Sequence, residues 1–198
     1  MKILITGSSG FIGRRVSRRL ADAGHKVVGF DLREPLERDD RVEHHTEDLL
    51  NRDGVAELIS RTNPEVVVHL AAKIGLKEVP SDSPHFAANT VGTKNLMEAM
   101  AESASVRRAV FVSTKYVFRG PPPVAPRTYK PNTAYGRTKA AMEEMIWEAD
   151  GAVPEWCIAR PTTIWGPGMS PHYCRFLRLI REGRYVHFGG GRSLKQVG

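Results

Sequence analysis

Short apolar runs alternate along this chain with longer stretches in which apolar residues recur every three or four positions. Lys2–Thr6 (KILIT), Lys26–Asp31 (KVVGFD), Glu65–Leu70 (EVVVHL), Arg108–Ser113 (RAVFVS) and Trp156–Arg160 read as strands, with Val42–Thr46 a weaker one. Between them, Phe11–Ala23 sets Phe11, Ile12, Val16 and Leu20 near helical spacing, and Gly24 supplies a stop. Asn51–Thr62 places Val55, Leu58 and Ile59 on one helical face, and longer helical stretches lie within Ser83–Ser103 and over Thr133–Asp150. A Pro-rich loop, Gly120–Pro131, interrupts the alternation; Pro171–Gly183 predicts a last helix and Tyr185–Phe188 a further short strand. Strands alternating with helices mean βαβ units and a mostly parallel sheet. Near-continuous apolar strands mean a sheet covered on both faces, so the expected fold class is α/β, a doubly wound parallel sheet.

Composition narrows the setting. A chain of 198 residues with 41% hydrophobic and 26% charged positions is globular and long enough to bury a core without disulfide or metal staples. No apolar run reaches the ~18 residues of a membrane span, and MKILITGSSG lacks the apolar region of a signal peptide. Two cysteines, Cys157 and Cys174, make no secreted disulfide framework, so a cytoplasmic setting is expected. The net charge is +7, from 29 basic and 22 acidic residues. The basic residues are spread along the chain, densest at Arg14, Arg15, Arg18 and Arg19, and no nucleic-acid motif accompanies them; solvated helix faces are the reading, and nucleic acid is not an expected partner. The chain ends in GGGRSLKQVG with no closing element, as though it stops within its architecture.

The strongest local signal for chemistry is Gly7-Ser8-Ser9-Gly10-Phe11-Ile12-Gly13, which follows one strand and opens one helix. Glycine lets the backbone turn tightly and approach a pyrophosphate, and the helix start offers free N–H groups to the anion. Asp31 ends the second strand, where a carboxylate accepts hydrogen bonds from adenosine ribose hydroxyls and repels a 2′-phosphate. That favours NAD; Arg33 or Arg14, paired with such a phosphate, would favour NADP instead. Tyr135 and Lys139 stand at i and i+4 on one predicted helix, so an ammonium lies one turn from a phenol and is expected to lower its pKa. Ser113 and Thr114 follow a strand at its carboxyl end, where open α/β sheets bind ligands. His25, His44 and His45 lack metal-ligand company, so no metal site is expected. Cys157 is expected in the core, and Met97, Met100, Met142 and Met145 are expected to pack there.

Together these pieces resemble the extended short-chain dehydrogenase/reductase superfamily, in its NAD-dependent epimerase/dehydratase branch. The matching segments are GSSGFIG, Asp31, Asp48-Leu49, HLAA at 69–72, NTVGTKNL at 89–96, VSTKYVF, YGRTK and ARPTTIWGPG at 159–168, in the family's order. The resemblance implies a Rossmann-type domain over 1–165 and the start of a substrate-binding portion, incomplete, over 166–198. It implies an NAD site made by Gly7, Gly10, Gly13, Phe11 and Ile12 at the phosphates and Asp31, with Leu32 and Arg33, at the ribose. Asp48 and Leu49 would lie by the adenine, Leu70, Ala71, Ala72 and Lys73 would line the cleft, and Asn89 would lie near it. Thr114 would be the catalytic hydroxyl, with Ser113 just before it. Tyr135 would be the acid/base, with Lys139 tuning it and holding the second ribose, and Thr162 would lie near the nicotinamide.

The implied activity is Tyr-assisted hydride transfer at a secondary alcohol of a sugar or nucleotide sugar, by an epimerase or a dehydrogenase, in a homodimer built on the helices near 84–103 and 134–150. Lys115-Tyr116 replace the Asp-Glu pair of nucleotide-sugar 4,6-dehydratases, which argues against dehydration, and Thr163 replaces a substrate-holding asparagine. An NADP-dependent reductase of a small carbonyl substrate, and a non-catalytic dinucleotide-binding protein, remain alternatives.

Overall fold

The strands form as the apolar runs predict. In the computed structural model, which describes residues 1–75, 78–79, 83–118, 120, 125–149, 151, 155–169 and 171–184, β1 is Lys2–Thr6, β2 Lys26–Asp31, β3 Val42–Thr46, β4 Val66–His69, β5 Arg108–Val112 and β6 Glu155–Ala159. The helices are α1 Gly13–Asp22, α2 Arg52–Thr62, α3 Ala87–Ala101, α4 Ala134–Glu148 and α5 Pro171–Arg181. All strand pairs are parallel, in the order β3-β2-β1-β4-β5-β6. The order reverses between β1 and β4, so connections leave these neighbouring strands on opposite faces and open a crevice beyond their carboxyl ends.

Each face is sealed by the residues that the strand alternation sends to it. Leu4, Val28, Phe30, Val67 and Phe111 pack with Val55, Leu58 and Ile59 of α2, Leu96 and Met100 of α3, and Met142 and Ile146 of α4. Ile3, Ile5, Val27 and Val42 form the opposite layer, against Val16 and Leu20 of α1. At ~25 cal/mol per Å² of apolar surface, this two-sided burial is the main force holding the sheet.

Two helices start on side chains that cap them. The Asn51 side chain accepts from the Gly54 amide at 3.2 Å, and Thr133 Oγ1 accepts from the Gly136 amide at 3.0 Å. No side chain caps α1, which follows Ile12 directly. Helical structure within Ser83–Ser103 begins not as α-helix but as a 3-10 turn, Pro84–Phe86, with Ser83 Oγ accepting from the His85 amide at 3.3 Å. A second such turn covers Lys115–Val117. Met97, Met100 and Met142 lie in the core and Met145 packs against it, as expected. Cys157 does not: it is exposed. β6 is the edge of the sheet in this structure, and its alternation turns Glu155, Cys157 and Ala159 outward while Trp156 and Ile158 pack inward.

Met1–Arg160 is one compact unit and Pro161 begins a second, in which Trp165 packs on Tyr173 of α5 with ring centroids 5.1 Å apart. The expected strand over Tyr185–Phe188 lies outside the described residues. Among those described, no helix is long and apolar enough to cross a membrane.

Candidate active site

The glycine turn sits where β1 ends and is shaped by close backbone contact. Gly7 has φ +70°, and a Cβ there would stand 2.6 Å from the Ala71 amide nitrogen. Only glycine accepts both the left-handed conformation and that approach. The turn is pinned by the Gly7 amide donating to Phe30 O at 2.7 Å and the Gly10 amide to Gly7 O at 3.1 Å. No side chain caps the start of α1, which directs the positive end of its dipole beyond the turn, while the Arg14 and Arg15 amides donate to Gly10 O at 3.1 Å and Ile12 O at 3.0 Å.

Asp31 faces that turn from the end of β2. Its Oδ2 accepts from the Ser9 amide at 3.0 Å and its Oδ1 from the Arg33 amide at 3.0 Å, while Ser9 Oγ donates to Arg33 O at 2.8 Å. One carboxylate thus ties the glycine turn to the β2 exit and keeps lone pairs on both oxygens for a ligand. Turn and strand ends border a cleft of about 610 Å³. Gly7, Gly10, Phe11, Ile12 and Gly13 line it, with Asp31, Leu32 and Arg33, with Asp48 and Leu49, and with Leu70, Ala71, Ala72 and Lys73. Sequence reasoning missed Phe30, Glu47, Ile74 and Ala88, which line it too. Each is the chain neighbour of a residue that was identified, and that adjacency was the available signal.

Asn89, Ser113, Thr114, Tyr135 and Lys139 do not line this cleft. Asn89 is buried in α3 and clamps Lys73 from below: its Oδ1 accepts from the Lys73 amide at 2.7 Å, and its Nδ2 donates to Lys73 O at 3.0 Å and to Thr138 Oγ1 at 3.0 Å. Thr138 Oγ1 in turn donates to Tyr135 O at 2.9 Å. The cleft segment and the helix carrying Tyr135 are therefore joined through the side chains of Asn89 and Thr138.

Ser113 and Thr114 follow β5, both buried, with the Ser113 amide donating to Ala159 O at 2.7 Å. Ser113 Oγ has no hydrogen-bond partner among the described residues. Thr114 Oγ1 accepts from the Tyr116 amide at 3.3 Å and so starts the second 3-10 turn. That turn rests against α4 at Gly136, where a Cβ would overlap the Tyr116 carbonyl oxygen. A larger residue at 136 would push the β5 hydroxyls away from the helix that carries the phenol.

Tyr135 opens α4 with its ring 6.5 Å from the Phe86 ring. Burial, with Tyr116 nearby, pushes its phenol up to about 12. Lys139 is 1% exposed, and its Nζ stands 3.0 Å from Met142 Sδ. Burial pulls the ammonium down to about 7, opposed by Glu143. The i, i+4 spacing predicts a lysine that lowers the phenol pKa; here desolvation governs both groups, because the ammonium is directed to the thioether further along the helix. Thr162 follows Arg160-Pro161 in the second unit.

Glu143 was not singled out in the sequence. It lies four residues beyond Lys139, is fully buried, and accepts from Arg160 Nε at 3.0 Å (Oε1) and 3.1 Å (Oε2), as well as from Nη2. Arg160 also donates to Pro126 O and lies 5.6 Å from the Tyr129 ring centroid. A carboxylate at i+8 from the tyrosine, on the same helical stripe as the lysine, was the signal that could have found it. No group of three or more His, Cys, Asp or Glu side chains suited to a metal ion occurs among the described residues.

Known proteins resemble this chain in sequence and fold. Residues 3–196 match the model of the NAD dependent epimerase/dehydratase family. A probable UDP-glucuronate 4-epimerase of Rhizobium meliloti is 32% identical over 97% of this chain and 62% of the relative, and a UDP-glucose 4-epimerase of Mycolicibacterium smegmatis is 34% identical over 87% and 59%. The crystal structure of Thermus thermophilus UDP-glucose 4-epimerase in complex with NAD superposes with a TM-score of 0.77, at 26% identity, over 94% of this chain and 64% of that one. The chain thus spans about three fifths of the length of these relatives. Because that family model matches nearly the whole sequence, the chain belongs to the NAD-dependent epimerase/dehydratase family.

Proposed function

We propose that this chain binds NAD in the cleft beside Gly7 and Asp31 and contributes the catalytic residues of a nucleotide-sugar epimerase. The observation that carries the reading is the close approach of Gly7 to Ala71, with Asp31 bonded across the turn. It leaves no side chain where a diphosphate would lie and a carboxylate where a ribose would be held. The residues present fit the dinucleotide: an uncapped helix start for the phosphates, Asp31 for the ribose, and Asp48 and Leu49 for the base. Asp31 favours NAD over its 2′-phosphorylated form. Bound there, NAD would supply the redox step, taking up and returning a hydrogen with its electron pair at the substrate carbon.

The chain's own residues manage the proton and the orientation. Tyr135 accepts the proton of the sugar hydroxyl and later returns it, with Thr114 holding the same oxygen. A phenol held near 12 needs a cation beside it to act at neutral pH, and Lys139 is the group one helical turn away. Lys115-Tyr116 offer no acid–base carboxylate for water loss, which favours epimerisation over dehydration. UDP-hexoses and UDP-hexuronates are the substrate class, after the relatives named above. We also propose a cytoplasmic setting, on the cysteine usage, and a homodimer and the division of labour at 1–165 and 166–198, on the family resemblance.

The test uses purified protein with NAD and UDP-glucose or UDP-glucuronate. Formation of the C4 epimer without net NADH absorbance is expected, with Tyr135→Phe lowering turnover roughly 10²–10⁴-fold at unchanged NAD affinity. Stoichiometric NADH would replace epimerase by dehydrogenase. Full turnover in Tyr135→Phe would remove the phenol from the mechanism.

A further inference from the structure

His69 ends β4, is 1% exposed, and uses both ring nitrogens. Its Nδ1 lies 2.7 Å from Thr6 Oγ1 and its Nε2 lies 2.9 Å from Thr93 Oγ1; both threonines are fully buried. The partners fix the direction of each bond. Thr93 Oγ1 donates its proton to Asn89 O at 3.1 Å, so toward the imidazole it acts as acceptor. Nε2 therefore carries the ring proton and Nδ1 is bare. Thr6 donates to Nδ1 and accepts from the Ala71 amide at 3.1 Å. Polarity then runs one way, from the Ala71 N–H through Thr6, His69 and Thr93 to the Asn89 carbonyl, and every donor finds an acceptor. The reverse assignment loses the Thr93–Asn89 bond and leaves the Thr6 proton without an acceptor among the described residues. A charged ring is worse, since burial and the Lys139 ammonium both oppose it and hold His69 down to about 3.

The two ends of this chain are the two points that hold the cleft segment. Ala71 is the residue against which Gly7 closes, and Asn89 grips the amide and carbonyl of Lys73. We propose that His69, as the neutral Nε2–H tautomer, is a positioning residue that sets the backbone of Ala71 through Thr6 and the grip of Asn89 on Lys73 through Thr93. The competing account is a histidine that only fills the core beside Phe111, whose ring lies edge-on at 6.0 Å. In that account the fold would change with the ring's volume, and the cleft would not change with its hydrogen bonds. The role in binding rests on the cofactor site proposed above; the bond order does not.

Three measurements separate these cases. In protein labelled with ¹⁵N-histidine, long-range ¹H–¹⁵N correlations should show His69 as the Nε2–H tautomer, unchanged across the neutral pH range. In Thr6→Val, which keeps the volume, amide exchange at Ala71 should accelerate while core amides such as Val28 stay protected, and NAD binding by calorimetry should weaken roughly five- to thirtyfold. In His69→Gln, whose side-chain amide can still donate toward Thr93, Lys73 should keep its exchange protection while Ala71 loses it. An Nδ1–H tautomer, or a folded Thr6→Val with a protected Ala71 amide and unchanged NAD affinity, would overturn the proposal. Wild-type protein that fails to bind NAD would instead overturn the cofactor reading, while the tautomer and the exchange rates would still decide the role of His69.

Discussion

Replacing Glu143 by glutamine should both destabilise the chain and move its pH dependence. The substitution keeps size and one acceptor but removes the charge opposite Arg160, whose side chain is 24% exposed. Removing one partner of a buried pair costs ~3–5 kcal/mol, and partial exposure of the guanidinium brings the expected loss to ~2–3 kcal/mol. For a domain of this size that is a fall of roughly 5–10 °C in Tm. The second effect works through Lys139, which sits at about 7 in the folded chain against 10.5 for an ordinary lysine. A depressed lysine means that the unfolded chain binds more protons between those values. Stability therefore rises with pH through that window, by up to ~1.4 kcal/mol per unit, and is lowest below it. Without the Glu143 carboxylate Lys139 drops further, so the rise begins at lower pH and Lys139 is uncharged over more of the neutral range. Thermal unfolding followed by circular dichroism across pH measures both. The double variant Glu143→Leu with Arg160→Met should regain most of the lost Tm while keeping the displaced pH profile, because packing is restored but the carboxylate is not. A single variant whose Tm and pH profile match wild type would refute the reasoning.

Two further substitutions probe the geometry. Gly136→Ala should cost ~1–3 kcal/mol by forcing the Lys115–Val117 turn off α4, and should lower turnover more than NAD affinity, as steady-state kinetics beside calorimetry would reveal. Asp31→Ala should weaken NAD binding roughly tenfold and narrow the preference over NADP, since Arg33 becomes the nearest charged group at that edge of the cleft; titration with both dinucleotides reads the change.

What the sequence shows and what it hides divides along the range of the contacts. Strands such as KVVGFD announce themselves because burial on both faces leaves a continuous apolar run, and GSSGFIG does so because a tight turn against another strand tolerates little else. Cys157 misled because a strand's pattern does not say whether it lies inside the sheet or at its margin. The 3-10 entry to α3 was hidden because Ser83 and Pro84 set it by local capping within a stretch that is helical in periodicity. Glu143 with Arg160, and His69 with its threonines, pair residues 17 to 63 positions apart. No period in the chain encodes such partners. Only the topology brings them together, and the electrostatic reversal at Tyr135 and Lys139 follows from burial that spacing alone does not reveal.

The fit of Gly7 to Ala71 makes the cleft a product of long-range assembly. These residues follow adjacent strands of the sheet but come from distant parts of the chain, with α1, β2, β3 and α2 threaded between them. No short βαβ peptide can form this pocket; it needs β4 docked beside β1, a long-range pairing of the kind that closes slowly. A dinucleotide that selects the docked state would therefore act as a folding ligand, adding ~2.7 kcal/mol at a hundredfold excess over its Kd. Cellular cofactor supply would then govern how much of this polypeptide survives as well as how fast it turns over.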